Sequence, residues 1–240
     1  DVDPAFGAPL ESRIEDNGEL LLRGGTGFLG YWGKPDKTAS IQRDGWYVSG
    51  DAVRKTERGE LVYLDRVEHL VKLASGHPYP PQFIETRLRF SPFIKDVMVL
   101  GDATRPWVGA LINIDMAVTS RWAEERRIAF STFTDLSQRP EVRQLVQGEI
   151  RRINKLLPES SRVVRFANFP KELDPDEGEL TRTRKLRREF LEVRYGALID
   201  GLYAGVADIA CEIAVTYQDG RQGALRATVV ATDIEGTHTP

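Results

Sequence analysis

Cysteine is nearly absent from this chain. Cys211 is the only one in 240 residues, so no disulfide can form within it, and the sequence fits a reducing compartment. Histidine is scarce as well. His69, His77 and His238, with that one cysteine, make no metal-ligand cluster, and no Ser-His-Asp pattern stands out. No run approaches the roughly 18 apolar residues that a membrane-spanning helix needs, and no signal peptide is read at Asp1. The expected location is therefore cytoplasmic, at most peripheral to a membrane. A net charge of −3 gives no overall attraction to nucleic acid or anionic lipid. What is present, 41% hydrophobic and 29% charged residues, suits an ordinary globular chain with one good core or a core plus a small second unit.

Hydrophobic spacing sets out the elements. Asp16-Asn17-Gly18 separates Glu11–Ile14 from Glu19–Arg23, and Asn-Gly between short runs is the strongest local hairpin signal. Gly24-Gly25-Thr26-Gly27 lacks the following Lys and Ser/Thr of a phosphate-cradling loop, so it reads as a turn. A short helix is expected over 35–42. Pro78, Pro80 and Pro81 end a loop and open a helix over 82–90, since a first helical turn tolerates proline. Strands are expected over 95–100, 107–114 and 162–169, and a helix over 118–128. Within 140–157, Val142, Leu145, Val146, Ile150, Ile153 and Leu157 form one stripe at helical spacing. An acidic, turn-rich stretch over 171–179 precedes a helix over 183–203, with Leu186, Phe190, Val193, Ala197, Leu198 and Leu202 on one face. A terminal hairpin of 209–217 and 224–231 turns at Asp219-Gly220 and carries Cys211 as a small apolar residue, and the last residues are expected to be disordered. The fold class is α+β, with helices covering an antiparallel sheet.

The chain is organised around Gly45 to Lys72. Arg58-Gly59 turns the segment after Asp51 back onto Glu60-Leu-Val-Tyr-Leu as a hairpin. Strand alternation puts Leu61, Tyr63 and Asp65 on one face and Val62, Leu64 and Arg66 on the other. Asp51 and the Asp65-Arg66 pair would then lie near the two ends of one sheet edge. From the residues alone, this is a carboxylate and an arginine on strand ends, facing a ligand.

The order Gly30-Tyr31-Trp32, then Trp46-Tyr47-Val48-Ser49-Gly50-Asp51, then a strand ending in Asp65-Arg66, then Lys72 and a glycine loop, resembles the adenylate-forming enzymes. These include acyl-CoA synthetases, luciferases and peptide-synthetase adenylation domains, and acyl-CoA synthetases match best. The resemblance runs from about Gly18 to about Tyr203. It implies that residues 1–64 are the terminal β-rich part of the large nucleotide-binding domain, that 65–204 are the mobile C-terminal lid, and that 205–240 are a β-hairpin extension outside the resemblance.

Each candidate residue has a chemical reason beside its family role. Asp51 can accept two hydrogen bonds, as vicinal ribose hydroxyls require, and the resemblance assigns it the nucleotide ribose; alone it would be a strand-end Asp bonded to a turn. Arg66 is a permanent cationic fork for phosphate or ribose oxygens, or else half of a local pair with Asp65. Glu68 falls at the family's hinge, where Asp or Lys is more usual. Ser75 and Gly76 lie in the loop that approaches the pantetheine arm of CoA, with Ser75 standing where relatives have glycine. Lys185, in Thr181-Arg-Thr-Arg-Lys185, matches the catalytic lysine in the form seen in long-chain acyl-CoA synthetases; Arg184 takes the usual glycine position. That leaves open whether Lys185 or a neighbouring Arg is used, against the plain reading of a solvated basic helix start. No aromatics interleave there as nucleic-acid binding would require.

The function implied is that of the C-terminal part of an ATP-dependent acyl-CoA synthetase. Its substrates are ATP with Mg2+, CoA and a carboxylic acid, with long-chain fatty acids first. Aryl acids and carrier-protein loading are the alternatives, and a stand-alone nucleotide- or CoA-binding module is a reading of another class. The family's phosphate loop, adenine-side segment and acyl pocket belong to an N-terminal domain that these residues do not contain. The 240 residues alone are expected to be inactive, with that domain as the necessary partner.

Overall fold

A computed structural model describes residues 10–24, 30–216 and 222–234. The chain divides into two compact units, Asp1–Leu70 and Val71–Pro240. The glycine run over 25–27, the turn at Asp219-Gly220 and the final residues 235–240 lie outside the described residues.

In the first unit, β1 (Glu11–Ile14) and β2 (Glu19–Arg23) pair antiparallel, with Ile14 opposite Leu20. Gly18 N–H donates to the Glu15 carbonyl at 2.8 Å, and Asn17 Oδ1 accepts from Glu19 N–H at 3.0 Å, which closes the expected turn. Helix α1 (Pro35–Ser40) opens on its proline. Strands β3 (Gln42–Arg43) and β4 (Trp46–Lys55) join through Asp44-Gly45, whose φ values of +50° and +78° are those a two-residue hairpin turn demands. Strand β5 (Leu61–Arg66) returns on β4, and the sheet runs β1-β2-β4-β3 with β5 also on β4.

Two expectations change here. Asp51 is not at the far end of the edge from Arg66: the two are register partners. The reversal between Thr56 and Glu60, closed by a 2.8 Å bond from Thr56 N–H to the Glu60 carbonyl, makes residues at similar distances from it face each other. Strict alternation along β5 also fails, since Leu64 and Asp65 are both buried. The ladder shifts register between Ala52 and Val53, and such a bulge rotates consecutive side chains.

The second unit begins with a two-stranded ladder of β6 (Val71–Lys72) and β7 (Pro78–Tyr79), followed by α2 (Pro81–Leu88). Its main sheet takes the order β13-β10-β9-β8, from β8 (Ile94–Leu100), β9 (Val108–Ile114), β10 (Val163–Asn168) and β13 (Thr232–Asp233). Strand β9 is antiparallel to β8 but parallel to β10, so this sheet is mixed. A parallel pair requires a long crossover, and α3 (Met116–Glu125), α4 (Phe133–Gln138) and α5 (Pro140–Asn154) provide it. Asp115 and Thr132 cap α3 and α4 by accepting from Val118 and Asp135 N–H at 2.9 and 3.1 Å. The stripe of α5 is buried as its spacing requires, through Val142, Val146, Ile150 and Ile153.

The single helix expected over 183–203 is instead two, α6 (Arg188–Arg194) and α7 (Gly196–Tyr203), and it starts late. Amides of residues 181–187 are used in a turn, and Arg184 has φ +59°, outside helical geometry. Strands β11 (Asp208–Thr216) and β12 (Gln222–Val230) form the terminal hairpin, in register from Asp208 with Val230. Its inner residues Ile209, Cys211, Ile213 and Val229 join one core with Leu180, Leu191, Tyr195, Leu198 and Phe169. Burying the Val, Leu, Ile and Phe side chains among them supplies about 1.5–3 kcal/mol each relative to exposure. Gln138 ties the hairpin to the sheet: its Oε1 accepts from Val230 N–H at 3.0 Å and its Nε2 donates to the Asn168 carbonyl at 3.3 Å.

Candidate functional site

The best-formed polar constellation of the first unit sits where β4 and β5 pair. Arg66 Nη1 donates to Asp51 Oδ1 at 2.6 Å and to the Ser49 carbonyl at 2.8 Å. Ser49 Oγ donates to the Leu20 carbonyl at 2.7 Å and accepts from Asp51 N–H at 3.0 Å, which fixes the backbone before the carboxylate. Gly50 lies between them with φ +72°, and a Cβ there would be 2.5 Å from Arg66 Nη2. The guanidinium therefore crosses directly over a residue without a side chain, and a Cβ there would displace it. The bond to Asp51 raises the Arg66 pKa above its ordinary value. Both side chains remain open to water, at 44% and 34% exposure, so the pair can exchange partners with a ligand.

Asp65 takes another part. Buried, it accepts from Arg66 N–H at 2.7 Å and lies 3.1 Å from His69 Nδ1 through Oδ1. It orders the turn after β5 and does not face solvent beside Arg66. Glu68 lies in that single 3-10 turn, Val67–His69, exposed and flanked by extended Arg66 and Leu70, shortly before the division between the units.

In the second unit, Leu73 to His77 forms a tight loop above the β6–β7 ladder. Gly76 N–H donates to the Leu73 carbonyl at 2.8 Å, and Leu73 N–H to the His77 carbonyl at 3.0 Å. Gly76 has φ +81° with nothing near an added Cβ, so the glycine is required by conformation and leaves open space outside. Ser75 is exposed at the tip. The loop is anchored by Ala74 N–H donating to the Arg105 carbonyl at 3.0 Å; the Arg105 side chain pairs with Asp200 at 3.1 Å and stacks 4.5 Å over Tyr203 of α7.

Lys185 lies in a closed turn between Leu180 and Leu186, which form an isolated β-bridge. Thr181 N–H donates to the Lys185 carbonyl at 2.8 Å, Arg184 N–H to the Thr181 carbonyl at 2.8 Å, and Lys185 N–H to Thr181 Oγ1 at 3.0 Å. Thr183 Oγ1 stands 3.1 Å from Thr181 Oγ1. Both threonines of the sequence motif thus build the turn. The left-handed conformation of Arg184 explains why glycine suits that position. Lys185 is exposed, and among the described residues its ammonium makes no hydrogen bond or ion pair. Of the six expected site residues, Asp51 and Arg66 are in direct contact; Glu68, the Ser75-Gly76 pair and Lys185 stand in three separate turns.

Sequence reasoning missed what lies beneath the Lys185 turn. Glu179 is fully buried and accepts from Lys171 Nζ at 2.6 Å, Asp174 N–H at 2.9 Å and Tyr195 O–H at 2.7 Å. Glu177 pairs with Arg194 at 2.6 Å and Lys171 at 2.9 Å, so two carboxylates face two cations. Burial, and then the Glu179 charge, push the Tyr195 phenol well above its ordinary pKa. Among the described residues no group of three or more His, Cys, Asp or Glu is arranged to hold a metal ion.

A family model described as the AMP-binding enzyme C-terminal domain matches residues 68–207. The chain is 32% identical over 192 residues to long-chain-fatty-acid–CoA ligase FadD15 of Mycobacterium tuberculosis, covering 80% of this chain and 32% of that protein. It is 30% identical over 195 residues to human long-chain-fatty-acid–CoA ligase 1, covering 80% and 28%. Among solved structures it is similar to the adenylation domain of a carboxylate reductase from Mycobacterium chelonae, at 27% identity and a TM-score of 0.46, covering 83% and 29%. The chain spans about a third of the length of the curated relatives it matches.

Proposed function

This chain belongs to the AMP-binding enzyme C-terminal domain family, and we propose that it is the lid-bearing part of an ATP-dependent acyl-CoA synthetase, an acid–thiol ligase. In the first half-reaction a carboxylate attacks the α-phosphate of ATP and expels pyrophosphate, giving an acyl-adenylate. In the second, the CoA thiol displaces AMP and forms the thioester. Long-chain fatty acids are the acid class the reading favours, on the Thr181-Arg-Thr183-Arg-Lys185 run and the long-chain ligases among the relatives.

The observation that carries the reading is the Lys185 turn: an exposed ammonium, without a counter-ion among the described residues, on a backbone held by three internal hydrogen bonds. Negative charge gathers on the attacking and α-phosphate oxygens during adenylation. A fixed cation stabilises that state without first losing a protein partner. Asp51 retains Oδ2 for a ribose hydroxyl while Oδ1 holds Arg66. Arg66 in turn retains Nη2 and Nε as donors to ribose or phosphate oxygens. ATP would bring its own Mg2+. The open side of Gly76 suits close passage of the CoA arm past backbone, and Glu68 lies in a short turn that suits a hinge. A role in lipid metabolism in the cytoplasm, with the N-terminal domain of the parent as partner, goes with this reading.

ATP–pyrophosphate exchange tests it, with fatty and aryl acids, on these 240 residues and on the parent carrying its N-terminal domain, each with and without Lys185→Ala. Silence from the shorter chain and Lys185-dependent exchange with palmitate in the parent is the expected result. Exchange with benzoate and not palmitate would reassign the acid, and exchange by the 240 residues alone would overturn the fragment reading.

A further inference from the structure

The terminal hairpin lies beyond the family match, which ends at residue 207, yet it touches the support of the Lys185 turn. Three observations join them. First, Arg194 of α6 donates to the Ala214 carbonyl of β11 while its guanidinium pairs with Glu177 at 2.6 Å and stands 3.3 Å from Glu179. Second, Glu179 is the stem of the turn: its carbonyl accepts from Arg187 N–H at 3.0 Å, one bond below the Leu180–Leu186 bridge. Third, Leu180 and Leu186 pack in the same buried cluster as Ile209, Cys211 and Ile213, the inward face of the hairpin.

We infer that the C-terminal hairpin braces the loop that presents Lys185, with Arg194 and the buried carboxylate of Glu179 as the positioning residues. The meaning of this brace for catalysis rests on the adenylation reading above; its existence as a mechanical link does not. The chemistry favours a rigid link. A fully buried carboxylate is tolerated only when its oxygens are satisfied, and here Lys171, the Asp174 amide, Tyr195 and Arg194 surround it. Such a network has one good geometry, and moving Arg194 would leave two carboxylates under-compensated. The hairpin supplies the fixed carbonyl that holds Arg194 in place. The Lys185 backbone is thereby located, and among the described residues its ammonium spends no hydrogen bond on the protein.

The test reads amide exchange on the whole 240-residue chain. Arg194→Gln should accelerate the amides of Thr181, Arg184, Lys185 and Arg187 by about tenfold or more, with the β8–β9 amides as the internal reference. Tyr195→Phe removes one bond to Glu179 and keeps the ring, and should accelerate the same amides about threefold. If Arg194→Gln accelerates the reference amides equally, Tyr195→Phe decides. Rates within about twofold of wild type at the loop would overturn the brace. In the parent, Arg194→Gln should lower kcat for pyrophosphate exchange with the KM for ATP unchanged, as expected of a residue acting only through Lys185. A loosened loop with unaltered kcat would overturn the positioning role. A wild-type parent without Lys185-dependent exchange would remove the adenylation reading, and the exchange rates would still decide the brace.

Discussion

Replacing Gly50 by alanine probes the Asp51–Arg66 constellation at its tightest point. The new Cβ would sit 2.5 Å from Arg66 Nη2 and 3.1 Å from its Cζ, and it would have to be carried at φ +72°. The clash is relieved by the Arg66 side chain, which is long and 44% exposed, so backbone need not move. The guanidinium must then give up its bonds to Asp51 Oδ1 and the Ser49 carbonyl. A left-handed conformation costs a non-glycine residue about 1–2 kcal/mol. An exposed ion pair contributes about 0.2–1 kcal/mol. Alanine loses less backbone freedom on folding, which returns about 0.5–1 kcal/mol. These contributions centre on a net loss of about 1.4 kcal/mol, which at 1.36 kcal/mol per decade is about a tenfold change in a local opening equilibrium. Amide exchange over β4 and β5 should accelerate by that factor, with β8 and β9 of the second unit unchanged. Acceleration below about twofold would refute the claim that Gly50 is conformationally required and that Arg66 is locked over it.

Arg184→Gly should tighten the Lys185 turn, because removing left-handed strain of about 1–2 kcal/mol outweighs the added glycine entropy of about 0.5–1 kcal/mol. Slower exchange of the Thr181 and Lys185 amides is expected, and faster exchange would count against it; the parent should keep pyrophosphate exchange that Lys185→Ala abolishes. High pH should destabilise the second unit. Burial pushes the Tyr79 and Tyr195 phenols above their ordinary value of 10.0, so the stability they hold is full below pH 10 and is lost as pH rises toward the folded values. Two such groups remove about 3 kcal/mol by pH 11, visible as a falling urea midpoint; phenol ionisation near pH 10 for every tyrosine without unfolding would contradict the assignment. Gln138→Ala should lower the stability of the second unit by about 1–3 kcal/mol, because the Val230 amide and the Asn168 carbonyl lose their partner. An unchanged urea midpoint would show that water replaces it.

Much of the architecture was legible because it depends on short-range periodicity. The stripe of α5 and the Asn-Gly turn of the first hairpin each follow from residues within a few positions of one another. The candidate site residues came from another source, the order of motifs along the chain. Failure came where local pattern and long-range partner disagree. The stripe of Leu186, Phe190 and Val193 suggested helix through 183–203, but Phe190 is 36% and Val193 86% exposed. The buried face follows a helical period of its own, Leu191, Tyr195, Leu198, Ile199 and Leu202, and counting from Leu186, which lies in the turn before Arg188, sets the phase wrong. The Glu177–Glu179 network was illegible altogether. A run of charges between turns reads as solvated loop, and the partners that bury Glu179, Lys171 and Tyr195, are 8 and 16 residues away in sequence.

Backbone strain falls at three non-glycine positions among the described residues, Asp44, Arg127 and Arg184, and their settings differ. Asp44 stands in a two-residue hairpin turn, where Asp is one of the few side chains at ease in the left-handed region. Arg127 follows α3, and the bond from Ile128 N–H to the Ala123 carbonyl at 2.9 Å is the ordinary way a helix closes with a left-handed residue. Arg184 has neither excuse. It is an arginine in a glycine conformation, next to a lysine whose ammonium is unpaired among the described residues, in a turn whose stem residue Glu179 has a fully buried carboxylate. Such a conformation persists only when the surroundings over-determine it. The bonds from Arg184 N–H to the Thr181 carbonyl and from Thr181 N–H to the Lys185 carbonyl close a three-residue hairpin loop, in which the third residue takes the left-handed region, and the buried network beneath Leu180 and Leu186 holds the stem of that loop.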